Sequence, residues 1–89
     1  MEELTRFYAA IKEDNRIGAT HISLYMALLQ FYCLNGFCNP VYITRASVMP
    51  AAKISGLATY HRCMKDLNEY GYIKYVPSYN HFLGSLVYI

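Results

Sequence analysis

Carboxylates are scarce in this chain of 89 residues, which holds six of them. Four, Glu2, Glu3, Glu13 and Asp14, lie near the N-terminus, and no two form an acid/base motif of the kind hydrolysis or proton transfer needs. There is no glycine-rich phosphate loop, no Gly-x-Ser-x-Gly elbow and no His-Glu-x-x-His pair. A tyrosine recombinase would need a cluster of Arg and His around its nucleophile, and a chain this short cannot hold that domain. The expectation is therefore a protein that is not an enzyme, with no catalytic residues.

Metal-ligating patterns are also missing. No Cys-x-x-Cys pair exists, and the best constellation, His61 and Cys63 with His81, fails because positions 61 and 63 point about 200° apart on a helix. No metal and no cofactor is expected. Cys33 and Cys38 have the separation for a loop disulfide, but three cysteines without a secretion signal read as reduced, buried thiols. No apolar run approaches the ~20 residues that span a bilayer. The start Met1-Glu2-Glu3 lacks the basic residues of a signal peptide. A cytoplasmic protein with no membrane partner is the expectation.

What is present is apolar and aromatic. Hydrophobic residues make up 55% of the chain and charged ones 16%, with ten tyrosines that cover apolar surface while keeping a polar tip. The length suits one domain, residues 1–89, with a modest core. The net charge of +2 is divided unevenly. Residues 1–40 carry Arg6, Lys12 and Arg16 against the four N-terminal carboxylates, a net of −1. Residues 41–89 carry Arg45, Lys53, Arg62, Lys65 and Lys74 against Asp66 and Glu69, a net of +3. Basic charge gathers in the C-terminal half, as an electrostatic footprint on nucleic acid requires.

In chain order, residues 1–16 read as an amphipathic helix with Leu4, Phe7, Tyr8 and Ile11 on one face, stopped by Gly18. Such a helix docks on its own core, the usual fate of terminal helices, or serves as a dimerisation arm. Thr20 reads as the cap of a central helix over 20–35. Ile22, Tyr25, Met26, Leu29, Tyr32 and Cys33 make one apolar stripe of it, and Leu24, Leu28, Phe31 and Leu34 a second. Ser23, Ala27 and Gln30 are left as its opening to water. After Asn35-Gly36, a short β-like run ends at Ile43, and Thr44 caps a helix over Arg45 to Lys53. Pro50 predicts a break or kink near Met49, because it lacks the amide that an interior helical residue donates.

The most informative stretch runs from Ser55 to Ile73. Ser55 is a suitable N-cap, Tyr60, Met64 and Leu67 recur at helical spacing with Leu57 and Cys63 on their flank, and Gly71 is a suitable stop. Tyr72 to Val76 and Ser85 to Ile89 then read as two strands, and Pro77 to Gly84 as the loop between them. Ser55, Thr59, Tyr60, Arg62, Met64, Leu67, Gly71 and Ile73 stand in the spacing of a recognition helix and its exit. This run resembles a winged helix-turn-helix domain, the kind found in bacterial transcription regulators and in replication or excision factors of mobile elements.

The resemblance implies a small α+β fold, with a helix-turn-helix over 44–70 and a C-terminal antiparallel β-hairpin, the wing, over 72–89. It implies sequence-specific binding of double-stranded DNA. The exposed residues of the recognition helix, Gly56, Ala58, Thr59, His61, Arg62 and Lys65, would then face the major groove. Arg45 and Ser47, with Lys74, Ser78, Tyr79, Asn80 and His81 of the wing, would meet phosphates. A homodimer through the N-terminal helices would add a second half-site and so raise specificity. The alternative is a winged helix that binds a partner protein and no DNA, favoured by low basic charge, many tyrosines and the apolar pair Phe82-Leu83 in the wing.

Overall fold

The structure, a computed structural model, describes residues 2–78 and 84–89. Along these run α1 (Glu2–Ile11), α2 (Ala19–Leu34), β1 (Val41–Ile43), α3 (Arg45–Ala52), α4 (Leu57–Glu69), β2 (Lys74–Val76) and β3 (Ser85–Tyr88). The fold is α+β, with four helices and one three-stranded antiparallel sheet among the described residues.

α1 places Glu2 and Glu3 at its positive end and docks on its own domain through Phe7, whose ring stacks on Tyr25 at a centroid separation of 3.8 Å. It ends at Ile11 and not at Arg16. The Asp14 carboxylate accepts the Arg16 backbone N–H at 3.1 Å and the Arg16 guanidinium at 2.8 Å, which holds the chain in a turn that competes with further helix.

α2 begins at Ala19, two residues before His21, with Gly18 and not Thr20 as its N-cap. His21 reaches back so that its Nδ1 accepts the Gly18 N–H at 3.0 Å, which satisfies a donor at the helix start. Leu24, Tyr25, Ala27, Leu28 and Leu29 are buried. Ala27 is therefore no opening to water, because it belongs to the i, i+3, i+4, i+7 row Leu24-Ala27-Leu28-Phe31. Ser23 is half-buried and donates its hydroxyl to the Ala52 carbonyl at the end of α3. Met26 and Leu34, assigned to the apolar stripes, face solvent.

Thr44 caps α3 as expected, its Oγ1 accepting from the Ser47 N–H at 3.2 Å. The break expected near Met49 does not occur. α3 carries through Pro50 to Ala52. The amide that Pro50 lacks would have met the Ala46 carbonyl, which lies on an exposed residue that water can serve, and the helix ends too soon afterwards to need straightening. Its end is a left-handed Lys53 at φ 59°, with the Ile54 N–H returning to the Met49 carbonyl at 3.0 Å.

α4 starts from Gly56, not Ser55, in extended conformation and without a side-chain cap. Tyr60, Cys63, Met64 and Leu67 face the core as their spacing requires, whereas Leu57 is exposed. Gly71, at φ +85°, ends the helix as expected. Its N–H reaches the Asn68 carbonyl at 3.2 Å and the Tyr72 N–H reaches that of Leu67 at 2.9 Å.

The strands lie in the order β1-β3-β2. Val87 of β3 faces Val41 on one side and Tyr75 on the other, and is fully buried. β2 starts at Lys74 and not at Tyr72, since residues 70–73 are still unwinding from the helix. α2 packs against α3 and α4, and one cluster of buried side chains joins them to the sheet.

Candidate nucleic-acid interface

On α4 the core row Tyr60, Cys63, Met64 and Leu67 leaves an opposite arc, and with about 100° between successive residues Ala58, His61, Arg62 and Lys65 share it. All four are exposed. The start of α3 approaches this arc from one side and the β2–β3 hairpin from the other. A cavity of about 340 Å³ lies where they meet, lined by Arg45, Ala46, Tyr60, His61, Ser78 and Ser85 among others. Three of the sequence-predicted residues, Arg45, His61 and Ser78, are thus brought together although they lie far apart in the chain.

The remaining predicted residues divide. Arg62 and Arg45 are exposed and make no ion pair among the described residues. Lys65 lies 3.9 Å from Glu69, an exposed pair that holds it weakly. Lys74 sits over the Tyr88 ring at 5.4 Å from its centroid. Ser47 is less available than expected, because its hydroxyl donates to the Thr44 carbonyl at 2.9 Å and meets the Thr44 hydroxyl at 2.9 Å. Thr59 is half-buried, and its Oγ1 stands 3.5 Å from where a Cβ on Gly56 would be, an ordinary contact. Tyr79, Asn80 and His81, with the apolar pair Phe82-Leu83, lie outside the described residues.

Two residues at this surface escaped the sequence reading. Tyr60 was assigned to the core alone, and its ring is buried, yet it also lines the cavity. Burial foremost, and then the neighbouring Tyr75, push its phenol up to about 12, while Arg45 pulls the other way. Lys53 adds a further exposed cation in the α3–α4 turn. Its charge was the available signal.

Of the constellation His61, Cys63 and His81, the last lies outside the described residues. Cys63 is buried while His61 is exposed, and among the described residues no three His, Cys, Asp or Glu side chains gather around one point. The cysteines are free thiols, but only Cys63 is core; Cys33 is half-buried and Cys38 exposed, because Cys38 follows the left-handed Gly36-Phe37 turn that carries the chain outward. Among the described residues no helix is long and apolar enough to cross a membrane. No family model, curated protein or solved structure matches the chain.

Proposed function

We propose that this protein is a winged helix-turn-helix domain that binds double-stranded DNA, with α4 as the helix that enters the major groove. The observation that carries the reading is the exposed arc Ala58, His61, Arg62 and Lys65 flanked by Arg45 of α3 and by the hairpin residue Ser78. A helix fits a groove about 12 Å wide, and small residues near its start let it approach closely. Gly56 and Ala58 supply that start. Arg62 forks onto a base edge or a phosphate, His61 and Thr59 stand beside it, and Arg45, Lys65 and Lys74 meet the backbone. The three-stranded antiparallel sheet in the order β1-β3-β2 is compatible with a winged helix. A part in transcription control, or in replication or excision of a mobile element, follows from the same reading.

A second reading, an interaction module for a partner protein, is favoured by the exposed Leu34, Phe37 and Tyr42. One titration separates the two. The purified protein is added to a fluorescent random-sequence duplex and anisotropy is read at about 50 mM and about 200 mM salt. Binding that falls steeply with salt is expected, because several phosphates are neutralised. A folded protein that fails to bind at the lower salt overturns the DNA reading and favours the partner protein.

A further inference from the structure

On the side of the molecule formed by α1 and the far end of α4, a cavity of about 520 Å³ opens under α1. Its size is that of a small-molecule site. Phe7, Tyr25, Tyr32, Tyr70 and Tyr72 give it aromatic walls, and Glu3 lines it as well. We propose that this cavity binds a small organic cation, a primary or methylated ammonium on a short apolar body, with the Glu3 carboxylate as counter-ion and the Tyr25 and Tyr32 hydroxyls as acceptors.

Several observations converge on this. Tyr25 is 4% exposed, yet its hydroxyl makes no hydrogen bond among the described residues. Among the described residues no buried side-chain oxygen lacks a partner, so the Tyr25 hydroxyl oxygen keeps some contact with solvent, and Tyr25 lines the cavity. A phenol oxygen that meets solvent and has no protein partner is open to accept a hydrogen bond from a ligand. Tyr72 differs, since its hydroxyl donates to Asp14 at 2.6 Å.

Charge decides the class of ligand. Arg6 also borders the cavity, but it lies 3.6 Å from Glu2, and both side chains are well exposed. Glu3 makes no ion pair among the described residues, and Glu2, Glu3 and Arg6, two carboxylates against one guanidinium, leave this end of α1 with a net charge of −1. The phenols register the same balance. Burial raises Tyr25 and Tyr32 most, and the Glu3 carboxylate raises them further by more than Arg6 lowers them. Aromatic faces attract cations through the negative face of the ring, most strongly where water is excluded. One ring of this wall already does so, as the Arg16 guanidinium lies 3.9 Å from the Tyr70 centroid.

The test is a titration of the isotopically labelled protein with choline and, separately, with phenylethylammonium, following backbone amide shifts by NMR. Saturable shifts confined to α1, Tyr25, Tyr32 and residues 70–73 are expected with at least one of them. The neutral isostere of choline, 3,3-dimethylbutanol, should bind about tenfold more weakly, as should choline to Glu3→Gln. Tyr25→Phe keeps the stacked ring and should weaken binding a few-fold. Absence of saturable shifts with both cations, or equal affinity for choline and its neutral isostere, overturns the proposal, as does an unchanged affinity in a folded Glu3→Gln protein.

Discussion

His21 joins the start of α2 to the middle of α4: its Nε2 lies 2.8 Å from Oδ2 of Asp66, while its Nδ1 accepts the Gly18 N–H at 3.0 Å. A backbone N–H can only donate, so Nδ1 must offer its lone pair and Nε2 must carry the hydrogen that Asp66 accepts. One imidazole thereby closes a helix start and fixes the rotation of the helix that presents Arg62.

Removing that ring should be felt in stability. His21→Ala leaves the Gly18 amide and the half-buried Asp66 carboxylate without these partners, and hydrogen bonds to charged groups contribute about 1.5 to 3 kcal/mol. A loss of about 2 kcal/mol is expected, read as a lower urea midpoint at unchanged slope. An unchanged midpoint would show that the contact carries no weight.

Acid should weaken the protein through Asp14. The Arg16 guanidinium first, then the Tyr72 hydroxyl and the Arg16 backbone N–H, hold its carboxyl well below its ordinary value of 3.8. The unfolded chain therefore takes up a proton at that site before the native one does. The contribution is fully present above about pH 4 and is lost as pH falls toward the depressed native value. Urea midpoints measured from about pH 5 to pH 2 should fall, and Asp14→Asn should flatten part of that fall. An identical acid limb in the variant would remove Asp14 from the account.

The phase of α4 was legible in the sequence because four apolar residues at helical spacing admit one face, and Gly71 admits one natural end. The β2–β3 hairpin was legible for a similar reason, with Tyr75 and Val87 alternating onto the covered side. Termini decided by a side chain bonding to backbone were not. Asp14 stops α1 and His21 starts α2, and in each case residue type permits several partners while only the fold selects one. The cavity shared by Arg45, His61 and Ser78 is a product of packing, and the sequence named its members without showing that they meet.

Lys53 should be improvable. It holds φ 59° at the end of α3, a conformation that costs a side-chain-bearing residue about 1 to 2 kcal/mol. Lys53→Gly removes that strain, and the extra freedom glycine gives the unfolded chain returns part of the gain. A net stabilisation of about 0.5 to 1 kcal/mol is expected, seen as a melting midpoint a few degrees higher. A lower midpoint would mean that the lysine side chain makes up for its own backbone.

Arg62 carries the DNA reading most directly. Arg62→Ala should weaken binding by about 1 to 3 kcal/mol if the guanidinium forks onto a base, and by less, uniformly across sequences, if it meets phosphate. Because the side chain is exposed and makes no ion pair among the described residues, the fold should be unaffected. Unchanged affinity in the folded variant would remove α4 as the reading helix.

Gly84 is the position where the sheet tolerates least. Its φ is +64°, and a Cβ there would stand 2.5 Å from the Ile43 carbonyl oxygen and 2.8 Å from the Tyr42 ring. The ring could swing aside, since Tyr42 is exposed, but the carbonyl belongs to β1, whose Ile43 is paired with Ser85. Relief therefore requires β1 and β3 to part at the end from which the 77–84 connection emerges. Gly84→Ala should cost about 2 to 4 kcal/mol, from the left-handed backbone and from overpacking together. Adding Tyr42→Ala separates the two obstacles. If the ring is the lesser one, the double variant recovers only a small part of the lost stability in a urea titration. Full recovery would place the clash in the side chain and leave the strand pairing free to adjust.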